Sequence, residues 1–213
     1  MERLKLTEQL QASRKGARGR PKAFEPDTVL KGALDLFWRQ GYRSTTLRHL
    51  ESRLGISQSS LYNAFGSKER ILSAALDQYE GDIDREVMQP LDESPRGLDA
   101  ISEFLVALGA WVTRDGRRGC MITNLMAEDG GQSAAITSRA AAYRARVRSS
   151  LRSALERAQA LGEIEDDGLQ RKADLLMALI LGINVATRGG ATHVEVSRLL
   201  DAAVTEVGSW RVA

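Results

Sequence analysis

The chain has 213 residues, 43% of them hydrophobic and 27% charged, the balance of a globular protein with a core of its own. Its single cysteine excludes an intramolecular disulfide. Its longest apolar stretch, residues 173 to 187 with Asp174 and Asn184 inside, is too short and too polar to span a bilayer.

Net charge is only +2, yet residues 1 to 70 hold 14 Lys/Arg against 7 Asp/Glu. A basic first third on an acidic remainder directs one end of the molecule at an anionic partner, although a solvated basic tail has the same signature. The N-terminus has no apolar segment followed by a small-residue cleavage site, so a cytoplasmic chain without membrane contact is expected.

Residues 1 to 22 are poor in apolar side chains and rich in Arg, Lys, Gln and Gly, and read as a flexible basic arm. Helical periodicity then begins. Asp27 precedes a helix with Val29, Leu30, Ala33, Leu34, Phe37 and Trp38 on one face, ended by Gly41. Thr45 and Thr46 open a short second helix closed by Gly55; Ser57 opens a third, and Gly66-Ser67 restarts the chain into a fourth. Pro90 and Pro95 predict a break between two functional parts, residues 23 to 83 and 84 to 213.

Beyond it, residues 101 to 113 and a short run after Gly119 are predicted helical. Residues 133 to 161 carry apolar side chains at every third or fourth position. Residues 169 to 186 are apolar almost all round, so that helix is expected to be buried on several sides. Thr192 and Glu195 form a capping-box pattern for a last helix ending near Trp210. No segment alternates with period two for long, so the fold class is all-α.

Residues 46 to 65 carry the functional argument. Two short helices that cross steeply need a turn residue tolerant of positive φ, and Gly55 supplies it. With Ile56 plugging the turn and Leu50, Leu54, Leu61 and Phe65 facing inward, the outward side chains are Gln58, Ser59, Ser60, Tyr62 and Asn63, led by Ser57. Small and amide side chains of this kind approach base edges and phosphates closely. A structural helical hairpin with a polar face has the same pattern.

The run Gly41-Tyr42, Thr45-Thr46, Gly55-Ile56-Ser57, Ser60-Leu61-Tyr62, Phe65-Gly66-Ser67-Lys68-Glu69 resembles the tetracycline-repressor (TetR) family of bacterial regulators across roughly residues 24 to 72. The resemblance implies a three-helix DNA-binding head on a helical body that binds an effector and dimerises. It implies that Thr46 caps the second helix and touches a phosphate. Tyr62 and Lys68 would clamp the DNA backbone, and Gln58, Ser59 and Asn63 would read bases. One position departs from the pattern: Glu51 stands where the family has a small residue, and is expected to turn outward or pair with Arg48 or Arg53.

In the arm, Arg18-Gly19-Arg20-Pro21-Lys22 is similar to the AT-hook core, in which Arg18 and Arg20 would lie in a narrow minor groove. A plain phosphate-steering tail is the other reading. A regulator of this size is expected to pair through its last two helices and to bind a palindromic operator in double-stranded DNA as a homodimer.

The run Arg118-Gly119-Cys120-Met121-Ile122-Thr123-Asn124 with Glu128, and later Gly162-Glu163-Ile164, resembles one branch of the same family. For an unidentified small-molecule effector, the expected lining is Trp111, Cys120, Met121, Asn124, Met126, Tyr143, Met177, Ile180 and Asn184, each of which also fits an ordinary core. Cys120 has two readings: a buried inert thiol, or a reactive thiolate activated by Arg117 and Arg118.

With His49 and His193 as the only histidines, and no metal spacing, phosphate loop or nucleophile motif, an enzyme is disfavoured; no catalytic residue, metal or cofactor is expected. An effector-independent DNA-packaging protein is the alternative.

Overall fold

Serine and threonine caps frame the helices. The computed structural model describes residues 24–114, 119–165 and 168–212, and the regular structure among them is helical. The head comprises α1 (Pro26–Gln40), α2 (Leu47–Leu54) and α3 (Gln58–Phe65), followed by α4 (Lys68–Ile83). A π-helical turn (Asp84–Met88) leads into α5 (Gln89–Glu93), and the body continues with α6 (Leu98–Thr113), α7 (Met121–Asp129), α8 (Ala134–Ala160), α9 (Leu169–Arg188) and α10 (His193–Ser209).

The side chains of Thr46, Ser57, Ser67, Ser133 and Thr192 each accept a hydrogen bond from the backbone N–H three residues on. Each such cap stabilises its helix by roughly 1 kcal/mol. Thr192 and Glu195 form the expected reciprocal box; at α2 the partner of Thr46 is His49, whose ring takes the place of the usual Glu or Gln.

Two details differ from the sequence reading. α1 starts at Pro26, one residue before Asp27, because proline loses nothing where the helix leaves its N–H unpaired. Pro90 does not break the chain. The π-turn before it is widened, with Gln89 N–H bonding the carbonyl of Asp84, and this tolerates a missing donor; the helix runs on to Glu93.

In the head, Phe37, Leu50 and Leu61 are buried together, and α1 lies along α4. The body buries Trp111, Phe104, Ile101 and Leu105 of α6 against Val147, Leu151, Ala154 and Leu155 of α8 and Leu176 of α9. α9 is covered on several sides, as expected, but one stripe is open: Leu175, Ala178, Gly182 and Val185 are exposed at three-and-four spacing, and Val194 and Leu199 are exposed on α10.

α6 has no side-chain cap of its own. Glu163, just past α8, reaches across to accept from the Leu98 N–H at 2.7 Å. This brings Gly97 against α8, where an added Cβ would lie 2.5 Å from Ala158 Cβ and 2.6 Å from Glu163 Oε2. We expect Gly97→Ala to destabilise the fold by about 1–3 kcal/mol, lowering Tm by roughly 2–4 °C per kcal/mol in a thermal melt. An unchanged melt would show that α6 and α8 can part freely.

Candidate nucleic-acid interface

The turn between α2 and α3 is built as its residues dictate. Gly55 has φ 66° and ψ 23°, a left-handed conformation that carries no steric cost without a Cβ. Leu50 and Leu61 are fully buried beneath it and Ile56 is half-buried. This leaves Ser57, Gln58, Ser59, Ser60, Tyr62 and Asn63 exposed along α3, Tyr62 at 63%, with Thr46 exposed at the start of α2. Ser57 Oγ holds the Ser60 N–H and lies within 3.1 Å of the Ser59 hydroxyl and 2.9 Å of the Ser60 hydroxyl, so three of these side chains form one hydroxyl cluster.

Glu51 meets neither expected arginine. Its Oε2 accepts from Gln58 Nε2 at 2.7 Å, while Arg53 faces Asp35 at 3.6 Å. The first residue of α3 is thereby tied back to α2, because a half-buried carboxylate needs a donor and the Gln58 amide supplies one. Lys68 is half-buried, with two of its three N–H donors already engaged. Its ammonium donates to the carbonyls of Tyr42 (2.9 Å) and Thr45 (2.8 Å) and stands 4.1 Å from the centre of the Tyr42 ring. Partial burial pulls the Lys68 pKa below the usual lysine value, opposed by the carboxylates of Glu128 and Glu69.

Those carbonyls belong to the loop between α1 and α2, which the body also grips. Glu128 of α7 accepts from the backbone N–H groups of Tyr42 (3.1 Å) and Arg43 (2.6 Å), and Arg43 Nη2 donates to Gln132 at 2.5 Å. Arg188, at the end of α9, donates to the carbonyl of Trp38 at 2.8 Å. Gly41, at φ 88°, faces Glu128 so closely that a Cβ there would meet Oε2 at 2.9 Å. Further along, Arg139 of α8 bridges Asp77 (2.6 Å) and Glu80 (2.7 Å) on α4.

Beside this grip lies a cavity of about 610 Å3, with an apolar floor of Leu72, Leu76, Ile122, Leu125 and Ile136 and a polar rim that includes Tyr42, Arg43, Glu69, Asp129 and Arg139. Its walls come from both the head and the body. Deeper in the body, Tyr79 anchors a closed polar network. Its hydroxyl donates to Cys120 Sγ and accepts from Trp111 Nε1 and Met121 N–H, all at 3.3 Å. Cys120 N–H donates to Asn184 Oδ1 at 2.6 Å, and Asn184 returns a bond to the Ile180 carbonyl at 2.8 Å. Burial drives the Tyr79 and Tyr143 phenols well above the usual tyrosine pKa, so both stay neutral.

Two stretches of the chain match known families: residues 29–75 match bacterial regulatory proteins of the tetR family, and residues 97–202 match the tetracyclin repressor-like C-terminal domain. The chain is 30% identical over 202 residues to the HTH-type transcriptional repressor ComR of Escherichia coli strain K12, covering 92% of this chain and 93% of that one. The chain belongs to the tetR family.

Its fold also superposes on a cysteine mutant of the TetR family transcriptional regulator CifR, solved with 26-base-pair operator DNA. The TM-score is 0.77 and the identity 29%, over 90% of this chain and all of that one. A TetR regulator from Chloroflexus aurantiacus shares the fold with a TM-score of 0.78 at 24% identity, over 88% and 96% of the two chains. The chain is therefore a TetR-type DNA-binding transcriptional regulator.

Within this family frame the expected residues separate. Arg18 and Arg20, and the Arg117 and Arg118 invoked for Cys120, lie outside the described residues. Thr46, Ser57, Gln58, Ser59, Ser60, Tyr62 and Asn63 are all exposed, and Ser57, Ser59 and Ser60 are joined through their hydroxyls. Of the expected effector residues, Tyr143, Met177, Ile180 and Asn184 converge on a void of only about 20 Å3, room for a single water. Trp111, Cys120 and Met121 are each 1% exposed in the Tyr79 network, Asn124 is buried, and Met126 is half-buried against Arg144.

None of these expected residues lines the 610 Å3 cavity. Its apolar lining sits on the ordinary apolar stripes of α4, α7 and α8, and nothing in the spacing of those residues sets them apart from core. Among the described residues no group of three His, Cys, Asp or Glu side chains is placed to hold a metal, and no helix is long and apolar enough to cross a membrane.

Glu128→Ala removes the acceptor of two backbone N–H groups. We expect amide hydrogen exchange at Tyr42 and Arg43 to accelerate by roughly tenfold or more, the scale of a charge-assisted bond, with little change in the α8 core. Exchange unchanged at both amides would show that the body does not hold this loop.

Proposed function

We propose that the chain is a homodimeric repressor that reads a palindromic operator with α3 and leaves it when a small molecule enters the cavity at the head–body junction. The observation that carries this reading is the cavity itself. Its rim includes Tyr42 and Arg43, the two residues whose backbone Glu128 holds, so an occupant touches the coupling between head and body directly. A volume of about 610 Å3 suits a metabolite-sized ligand.

An effector shifts the balance only if it binds the DNA-incompetent state better, and here it would do so by fitting a more open junction. Burial of Cys120, with its sulfur accepting from Tyr79, supports a reversibly bound effector over one that reacts with the thiol. The relatives agree in kind: ComR is named a repressor, and CifR was solved on operator DNA.

Pairing is supported by the open stripe of Leu175, Ala178, Gly182 and Val185 with Val194 and Leu199. Ala178 and Gly182 let a second helix approach closely, and two helices from each subunit make a four-helix bundle. Such pairing sets two α3 helices on successive major grooves, about 34–36 Å apart or a multiple of it. Thr46 and Tyr62 would hold phosphates, Lys68 would add its remaining N–H, and Gln58, Ser59, Ser60 and Asn63 would face bases. Arg18 and Arg20 would extend the contact into the minor groove.

DNase footprinting on the DNA upstream of the coding region should show one short protected palindrome, with affinity falling steeply as salt rises. Equal binding to random duplex would indicate a packaging protein instead. In sedimentation, Val185→Glu should convert dimer to monomer and lower operator affinity at least about a hundredfold while helicity is kept, because it puts a charge into the apolar seam. A dimer that survives this change would place the interface elsewhere. Filling the junction with Ile136→Trp should mimic the effector and weaken operator binding; an unaltered affinity would remove the cavity from the mechanism.

A further inference from the structure

We propose that Glu51 sets the base preference of the recognition helix: the Glu51–Gln58 pair reads, as one unit, a base that offers an exocyclic amino group, adenine N6 or cytosine N4. This rests on α3 being the base-reading helix.

A carboxylate only accepts hydrogen bonds. The 2.7 Å contact must therefore be made by Gln58 Nε2 and not by Oε1, which decides how the amide is turned. An untethered glutamine can rotate its amide by half a turn and offer either a donor or an acceptor first, so it matches amino and keto edges alike. Tethered to Glu51, Gln58 has given up one of its two N–H donors. What the pair retains for a base is Gln58 Oε1, the second carboxylate oxygen of Glu51 and one N–H. The pair is richer in acceptors than in donors.

In the major groove adenine presents N6–H2 beside N7, and cytosine presents N4–H2, whereas guanine and thymine present the acceptors O6 and O4 at the corresponding place. An amino edge finds the acceptors it needs. A keto edge finds only the single remaining N–H and must face the carboxylate beside it, an acceptor against an acceptor, forfeiting its bonds with water. The position of the two residues suits this. Gln58 is exposed at the first residue of α3, and Glu51 is half-buried on α2 behind it, with Arg53, a rival partner, turned toward Asp35. The negative charge also opposes phosphates, so it lowers affinity for every duplex and leaves sequence to supply the difference.

The test is selection from a duplex library randomised across the half-site, with the full chain, Glu51→Ala and Gln58→Ala, each checked by thermal melting. The parental protein should favour adenine or cytosine over guanine and thymine at one position per half-site by roughly tenfold, the discrimination of one good base contact. Both variants should lose that preference at the same position and keep the rest of the site, with melts within a few degrees of the parent. Glu51→Ala should also bind random duplex more tightly.

A selected site whose profile Glu51→Ala leaves unchanged, or whose profile the two variants alter at different positions, overturns the inference alone. A parental protein that selects no site overturns the DNA-reading function beneath it. Gln58 is exposed, so its variant keeps the inference falsifiable even where Glu51→Ala folds poorly: a profile that Gln58→Ala leaves unchanged overturns it.

Discussion

The loop of residues 41 to 45 is where the body and the head are tied together. Its peptide groups are claimed from several directions. Glu128 accepts the N–H groups of Tyr42 and Arg43; Lys68 donates to the carbonyls of Tyr42 and Thr45. Inside the loop, the fully buried Thr45 hydroxyl donates to the Gly41 carbonyl at 2.6 Å and accepts from Gln40 at 3.1 Å. Through these bonds a shift of Glu128 would pull on the start of α2, and α2 is joined to α3 by the Leu50–Leu61 packing and the Glu51–Gln58 bond.

The chemistry of this junction differs from that of the body core in a way that suits switching. The core is apolar and close-packed, and a methyl-sized change there costs kilocalories. The junction is charged, half-solvated and adjacent to open volume. Each of its hydrogen bonds has water as a substitute partner, so the net cost of exchanging one is about 1–3 kcal/mol. Moving a two-state balance from 1:99 to 99:1 takes about 5.5 kcal/mol, and a small ligand that disturbs a few such contacts works on that scale. The Tyr79–Cys120–Asn184 network lacks this freedom. Each member is fully buried and has a partner, and burial keeps the Tyr79 phenol neutral, so the network ties α4, α7 and α9 together.

What was legible in the sequence was what local chemistry decides. Ser57, Ser67 and the Thr192–Glu195 pair announce helix starts because a cap acts three residues away, and Gly55 announces the turn because only backbone sterics are involved. The exposed face of α3 followed from the same periodicity. The cavity did not, because its walls join α4 to α7 and α8, and no local pattern marks such a meeting. Glu128 bonds to residues 85 and 86 positions earlier. Adaptable Met and amide side chains suggested a pocket around Met177 and Asn184, yet there the side chains fill the space themselves. Pro90 misled for a related reason: a proline breaks an α-helix, but a π-turn just before it removes the need for its donor.

Glu51 shows how a residue that conflicts with its setting can be the informative one. A carboxylate beside the helix proposed to face DNA would work against affinity, since the partner is a polyanion, whereas Arg43, Arg48, Arg53 and Arg70, exposed on the same head, would work for it. Stability gives no reason to keep it: a half-buried charge gains little from one neutral amide that a small apolar residue would not match by packing. What it does supply is orientation. Affinity for all duplexes comes from the arginines and the phosphates, which carry no sequence. A penalty applied equally to every duplex and relieved only by an amino-bearing base converts part of that indiscriminate attraction into selectivity, which is what a regulator searching a genome for one operator requires.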